Sequence, residues 1–174
     1  YSTGFSTNYT ILSKSGKAIF VPNEPLPDGL HSVKVESDQD VVVTLNQSNN
    51  YNRAATYNGA SGGSTIVALP NVMKRYYKYS SSISCQNIGI AATTMTVTFA
   101  NRPTATDTSP SIEPNASWLW YLPNMTNLPI GFNASAVVTS SGQPIICIAN
   151  SNMEDAPEST QDRDELKIYN GVNR

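Results

Sequence analysis

The chain has 174 residues and a formal net charge of −2, a length sufficient for one large β domain or two small ones. Charged residues make up only 14% of it, and 21 Ser, 16 Thr and 18 Asn take their place. This balance leaves no basic face for nucleic acid, and no apolar run is long enough to span a membrane. We expect a secreted or cell-surface protein, because hydroxyls and amides rather than charges dominate the polar residues. If the protein is secreted, the chain is its mature form, and the start at Tyr1 without a signal peptide is compatible with that.

Strand patterns run through the whole chain. Residues 33–36 alternate apolar and charged side chains, residues 41–45 form a β-branched run, and residues 94–99 alternate again. Turn-forming clusters separate such runs at intervals of about 8 to 12 residues, a spacing typical of sandwiches and barrels. The helical candidate, residues 71–78, follows Pro70 and is rich in tyrosine, which favours an extended segment. The sequence therefore predicts an all-β, antiparallel fold.

The sequence also repeats itself. Residues 11–59, the first copy, carry the same motifs in the same order as residues 112–171, the second copy. The shared motifs are Pro-Asn (from 22 and 123), Leu-Pro-x-Gly (from 26 and 128) and Tyr-Asn-Gly (from 57 and 169). Internal repetition is strong evidence for architecture. We predict two tandem Ig-like β-sandwich units, residues 1–64 with a Gly/Ser-rich boundary at their end and residues 65–174.

The two predicted units differ in the region that precedes each copy. Nothing in the first unit matches the strand predicted at residues 93–101, so this unit is short by at least one strand. A sandwich that lacks a strand has an open edge and an unfilled groove, and both can accept a strand from elsewhere. The second unit or a partner subunit could fill the gap, or the first unit could be a smaller sandwich.

Four stretches resemble a tandem β-sandwich repeat of large secreted and surface proteins from filamentous, often thermophilic, bacteria. They are residues 79–89, 96–99, 128–148 and 169–171. The similarity covers most of the second unit and, more weakly, residues 11–59. The resemblance implies an extracellular scaffold and no particular activity. The missing strand and the acidic insertion before Tyr169 depart from the pattern, and an incomplete first repeat suits a self-assembling subunit.

Two cysteines, Cys85 and Cys147, fall on predicted inward faces of the second unit. They could bridge the two sheets or join neighbouring strands if their Cα atoms lie within about 7 Å. The alternative is a pair of separate buried thiols. We expect a disulfide, because the composition indicates an oxidising exterior.

Five Asn-x-Ser/Thr sequons could carry glycans, a number close to what chance produces at this Asn, Ser and Thr content. They are at Asn8, Asn46, Asn115, Asn124 and Asn133. Asn115 and Asn124 each follow a proline in a predicted turn, where a glycan is easily accommodated. Asn46 and Asn133 lie at strand ends and are more hindered.

Trp118 and Trp120 raise the possibility of a sugar-stacking surface. Trp120 aligns with Ile19 of the first copy and is assigned to the core, whereas Trp118 aligns with Lys17 and is predicted to be the exposed aromatic contact. Six acidic residues lie between 154 and 165, where the choice is between a calcium loop and a solvated loop. The EF-hand spacing is absent, which favours the solvated loop.

No catalytic pattern is present. His31, the single histidine, has no cysteine near it in sequence and is assigned to a surface strand. Phosphate-loop and metalloprotease motifs are also missing. We therefore predict a non-enzymatic protein without a cofactor.

The leading hypothesis is a structural subunit of an extracellular filament, pilus-like fibre or surface layer. It would assemble head to tail with copies of itself by strand complementation, with residues 1–10 or 167–174 as the donor. The alternative is an adhesin or carbohydrate-binding module of a larger surface protein, with glycans as partners.

Overall fold

The computed structural model describes residues 4–48, 54–153 and 166–174. Within them it has eleven strands and two short 3-10 turns, and every strand pair is antiparallel. The strands are β1 (Thr44–Ser48), β2 (Ala54–Asn58), β3 (Ile66–Lys74), β4 (Tyr79–Asn87), β5 (Met95–Phe99), β6 (Arg102–Thr108), β7 (Ser117–Tyr121), β8 (Phe132–Ser140), β9 (Ile145–Met153), β10 (Leu166–Asn170) and β11 (Val172–Asn173). The 3-10 turns are Val21–Asn23 and Leu122–Asn124. The predicted all-β fold is confirmed.

Two sheets form a β-sandwich from residue 64 onward. One has the strand order β10-β9-β4-β7, the other β11-β3-β8-β5-β6. The chain crosses between the sheets at Gly171, between β10 and β11. A Cβ there would collide with Val67 Cγ1 and lie 3.1 Å from the Cys147 carbonyl oxygen, so the crossing requires a glycine.

The core follows from the two-residue period of the strands. In β5, Met95, Val97 and Phe99 are buried between the sheets, while the two threonines between them point outward. Phe99 meets Phe132 of β8 edge to face, with ring centroids 5.4 Å apart. Side chains from both sheets form one hydrophobic cluster.

Among the described residues, one charged side chain is buried. Lys74, at the end of β3, is 6% exposed, and its Nζ donates to the carbonyl oxygens of Met125 (2.6 Å) and Leu128 (2.9 Å). These charge-assisted hydrogen bonds hold the loop between β7 and β8 against the sandwich.

Residues 4–43 contain no strand. They hold the first 3-10 turn and are mostly exposed. The hairpin β1–β2 follows as a separate two-stranded sheet, and β2 packs beside β10, where Asn170 Nδ2 donates to the Asn58 carbonyl oxygen (3.0 Å). The division into two tandem units, with its boundary at residue 64, stays a prediction.

Candidate functional site

The two sequence copies share local structure at their 3-10 turns. Val21–Asn23 and Leu122–Asn124 each carry a proline at the start of the turn. The residues before them have nearly the same backbone angles, φ −97° and ψ 100° at Phe20 and φ −98° and ψ 105° at Tyr121. Repeated sequence therefore gives repeated backbone at this point.

The hairpins that close the two copies also match, residue for residue. Leu45 pairs with Tyr57 in β1–β2, as Ala149 pairs with Tyr169 in β9–β10. All five Cα pairs of the first hairpin have a counterpart in the second. Beyond each hairpin a glycine N–H donates to the carbonyl oxygen at the same position, Gly59 to Val43 (2.8 Å) and Gly171 to Cys147 (2.7 Å).

Core positions of the second copy have apolar counterparts in the first copy, but burial differs sharply. Six counterparts are 36–53% exposed in the first copy, whereas their partners in the second are 0–6% exposed. The pairs are Ile11 with Ile112, Ile19 with Trp120, Val21 with Leu122, Val33 with Ala136, Val35 with Val138, and Val41 with Ile145. The first copy thus has the apolar residues of a sandwich half without a covering sheet.

Sheet topology explains which strands the first copy retains. In the second copy, β7 pairs with β4, and β8 lies between β3 and β5. These neighbours all belong to residues 66–108, strands β3 to β6, which we call the front half. β9 pairs with β4 on one side and with β10 on the other, and the pair that forms in the first copy is β1–β2, the counterpart of β9–β10. Within the described residues, none of the four front-half strands has a counterpart before the first copy, a larger deficit than the one strand that sequence required.

Two of the exposed apolar residues lie in a stretch that alternates apolar and charged side chains. Val33 and Val35 alternate with Lys34 and Glu36, whose Nζ and Oε1 atoms form an ion pair at 2.6 Å. This pair is well exposed and adds little stability. One side of the segment is therefore apolar and the other charged, the pattern of a strand with one buried face. We call residues 11–43 the apolar segment.

The predicted donor at residues 167–174 is already used within the chain. Lys167 to Asn170 pair with β9, and Val172 and Asn173 pair with β3. Donation of these residues to another copy would first break these pairings, and the choice of donor stays a prediction. Residues 4–10 of the other candidate have no strand, and residues 1–3 lie outside the described residues.

The predicted disulfide is confirmed. Cys85 of β4 and Cys147 of β9 are directly opposite each other, with Cα atoms 4.1 Å apart and Sγ atoms 2.02 Å apart. It joins neighbouring strands of one sheet, which decides between the two arrangements that sequence left open. The counterpart of Cys147 in the first copy is Val43.

Trp118 is not the exposed contact that alignment with Lys17 indicated. It is half-buried and packs against the core, and it pairs with Cys85 as Trp120 pairs with Ile83. Residues two apart in a strand share a face, so both indoles point inward. Trp120 is 3% exposed and lies in the core.

Four sequon asparagines have exposed side chains, namely Asn8, Asn46, Asn115 and Asn124. Asn115 lies in a turn with φ +65°. Asn46 accepts a hydrogen bond from Thr56 Oγ1 (2.7 Å). Asn133 is half-buried in β8, with its Oδ1 enclosed, and is the least accessible.

The acidic stretch 154–165 lies outside the described residues. Among those described, no cluster of three His, Cys, Asp or Glu side chains could hold a metal. His31 is half-buried in the strandless segment, contrary to its assignment to a strand, and its Nε2 lies 2.7 Å from the Pro27 carbonyl oxygen. In the part of the chain that the structure describes, no helix has the length and apolar character of a membrane span.

A shallow cavity of about 210 Å³ lies between β1 and the outer face of the four-stranded sheet. It is lined by Gln47, Ser80, Ser82, Tyr121, Asn150, Asn152 and Leu166. The enclosed Asn150 Oδ1 has no hydrogen-bond partner among the described residues. Sequence reasoning missed this cavity because its lining comes from both copies and the front half.

Burial shifts the pKa values of the two matched tyrosines, Tyr57 and Tyr169, in the same direction. It raises the pKa of Tyr57 in the first hairpin and that of Tyr169 in the second. At Tyr169 the Asn71 N–H, 3.2 Å from the phenol oxygen, lowers the pKa and offsets part of this rise. Asn71 belongs to β3, for which the first copy has no counterpart among the described residues.

No family model matches the chain, and no curated protein matches it. Among solved structures it is similar to the crystal structure of Thermotoga maritima 1070, with a TM-score of 0.48 and 17% identity. The match covers 64% of this chain and 96% of that one.

Proposed function

We propose that this chain is a structural, non-enzymatic subunit of an extracellular filament, pilus-like fibre or surface layer. Its first copy joins a neighbouring polypeptide by β-strand complementation. The observation that carries the proposal is the apolar segment, in which residues at core positions of a sandwich remain about half exposed. Exposed strand-like segments of this kind pair readily with other chains.

Composition and covalent chemistry support an extracellular location. The Cys85–Cys147 disulfide is of a kind that persists in oxidising compartments. A surface rich in Ser, Thr and Asn, with exposed sequon asparagines, suits a secreted protein. Head-to-tail contact between copies is heterologous and does not close by symmetry, so it extends into a fibre.

Electron microscopy and light scattering of the purified full chain test the proposal. We expect concentration-dependent elongated assemblies that Val35→Asp abolishes, because a carboxylate on the apolar face opposes its burial. The matched control, Lys34→Asp, places the same group on the charged face and leaves assembly intact. Monodisperse particles at high concentration, or equal effects of the two variants, reject assembly through this face.

A carbohydrate-binding module is the second candidate, and the cavity beside Asn150 favours it. Hydroxyl and amide groups next to an aromatic ring, here Tyr121, are the chemistry that binds sugars. A glycan array discriminates the two functions. Specific binding lost in Tyr121→Ala, without assembly, supports the module; the absence of any glycan signal rejects it.

A further inference from the structure

The second copy shows what covers the positions that the first copy leaves exposed. Its core residues are buried against β3, β4, β5 and β6, the front half. β8 takes two of these strands as neighbours and β7 takes one. A single donor strand would therefore leave most of the apolar segment without hydrogen-bond partners.

The front half at residues 66–108 cannot serve both copies at once. Each set of 174 residues contains two back halves, the first and second copies, and one front half. The front half is already paired with β7, β8, β9 and β11 of its own sandwich. If the front half paired instead with the first copy of another molecule, the second copy of its own molecule would be left unpaired. Residues 66–108 are therefore not the front half that would complete the first copy.

We propose that the first copy is the acceptor half of a β-sandwich whose natural occupant is the front half of another repeat. That occupant is a four-stranded polypeptide with the apolar alternation of residues 66–108, and it differs from the front half that the second copy uses. The inference rests on the proposed function, since both treat the first copy as an unfinished sandwich, and it names the partner.

The occupant would insert in a defined register. In the second copy, Cys147 is directly opposite Cys85 of the front half. The counterpart of Cys147 is Val43, which is half-buried beside Gly59. A correctly seated occupant would therefore place its own copy of Cys85 opposite residue 43.

A fusion tests this register. A duplicate of residues 64–110 is fused to the N-terminus of the chain, so that residues 1–10 act as the linker. Val43→Cys is introduced into this fusion. Val42→Cys is the matched control, because Val42 is the next residue and is 91% exposed. Peptide mapping under non-reducing conditions identifies the disulfides.

We expect the added copy of Cys85 to form a disulfide with the new thiol in the Val43→Cys fusion and none in the Val42→Cys fusion, while the native Cys85–Cys147 bond remains. Hydrogen exchange should slow at residues 31–37, the counterpart of β8. If the Val43→Cys fusion forms no such bond, or if the control fusion forms it equally well, the proposal is overturned. The intact native disulfide reports in each variant that the second copy has folded.

The unfused Val43→Cys chain completes the experiment. A disulfide between its introduced thiol and Cys85 of another molecule would show that the occupant is a second molecule of this chain. This result would overturn the inference. Assembly seen by electron microscopy separates this inference from the proposed function. If the chain forms filaments but the Val43→Cys fusion does not form the register-specific disulfide, only the inference is rejected. If the fusion forms this disulfide but the unfused chain forms no filaments, only the proposed function is rejected.

Discussion

The first and second copies place similar residues in similar local structure, but only the second folds into a sandwich. Their 3-10 turns and closing hairpins agree in geometry and register. Val35 is 53% exposed while its counterpart Val138 is fully buried. The local sequence therefore sets the turns and the hairpin, and it does not by itself produce the sheets.

The difference lies in the availability of neighbours. A strand forms when another strand satisfies its N–H and C=O groups and covers its apolar face. The counterparts of β7 and β8 have no front half among the described residues and remain strandless, whereas β1 and β2 pair with each other and pack beside β10. Completion by strands from another chain would then bring the first copy to the state of the second.

The largest contrast is expected from placing a carboxylate at equivalent positions. Val138→Asp puts a charge in the closed core, and we expect it to reduce the free energy of unfolding by about 4 kcal/mol or more. Val35→Asp acts at an exposed site and should change it by less than about 0.5 kcal/mol. Urea unfolding followed by tryptophan fluorescence measures both, because both tryptophans lie in β7. Equal losses would mean that the apolar segment is buried in solution.

The disulfide is the next difference between the copies. It closes a loop with a sequence separation of 62 residues, so its removal should cost about 4 kcal/mol on the loop-entropy model. We expect Cys85→Ala/Cys147→Ala to lower the thermal midpoint strongly, by calorimetry. Val43→Ala, at the counterpart of Cys147, is the control and should leave the midpoint nearly unchanged. An unchanged midpoint in the double variant contradicts a stabilising role for the bond.

A smaller contrast is expected at the glycine that ends each hairpin. Neither has a positive φ, so available space decides the effect. Gly171→Ala forces a Cβ against Val67 and should cost about 1–3 kcal/mol. At Gly59 an added Cβ would lie 3.1 Å from Val43 Cβ, a much smaller overlap than at Gly171, and we expect a cost of less than about 0.5 kcal/mol. Denaturant midpoints with unchanged slopes test this, and a costlier Gly59→Ala would refute it.

Sequence predicted the features that depend on local pattern. The Tyr-Asn-Gly motif shared by the two copies lies at the end of both hairpins, and inward placement of Cys85 and Cys147 predicted their bond. The alignment of Trp118 with the charged Lys17 predicts an exposed side chain, whereas the two-residue period of the strand predicts an inward one. Trp118 lies two residues from Trp120 in β7 and therefore shares its inward face.

Features that depend on distant partners could not be read from sequence. Lys74 can be buried because its ammonium group donates hydrogen bonds to carbonyl oxygens more than 50 residues later. The cavity beside Asn150 likewise joins segments far apart in the chain. The size of the deficit in the first copy became clear once the pairing of β7 and β8 with the front half was known.

The smallest effect concerns the matched tyrosines at high pH. Burial raises the pKa of Tyr169 above its ordinary value of about 10. The unfolded chain therefore loses this proton at lower pH than the folded chain does. The contribution of the neutral Tyr169 phenol to the free energy of unfolding is fully present below about pH 10, and it is lost as the pH rises through the pKa of the folded state. We expect Tyr169→Phe to remove part of the stability loss above about pH 10, by urea unfolding.

Tyr57→Phe is the matched variant in the first copy. Burial raises the pKa of Tyr57 too, but its hairpin forms a separate sheet outside the sandwich. Tryptophan fluorescence, which reports the sandwich, should show no change in pH dependence for this variant. If Tyr57→Phe flattens the profile as much as Tyr169→Phe does, the first hairpin unfolds together with the sandwich. The two copies would then be one cooperative unit, although only one of them has a front half.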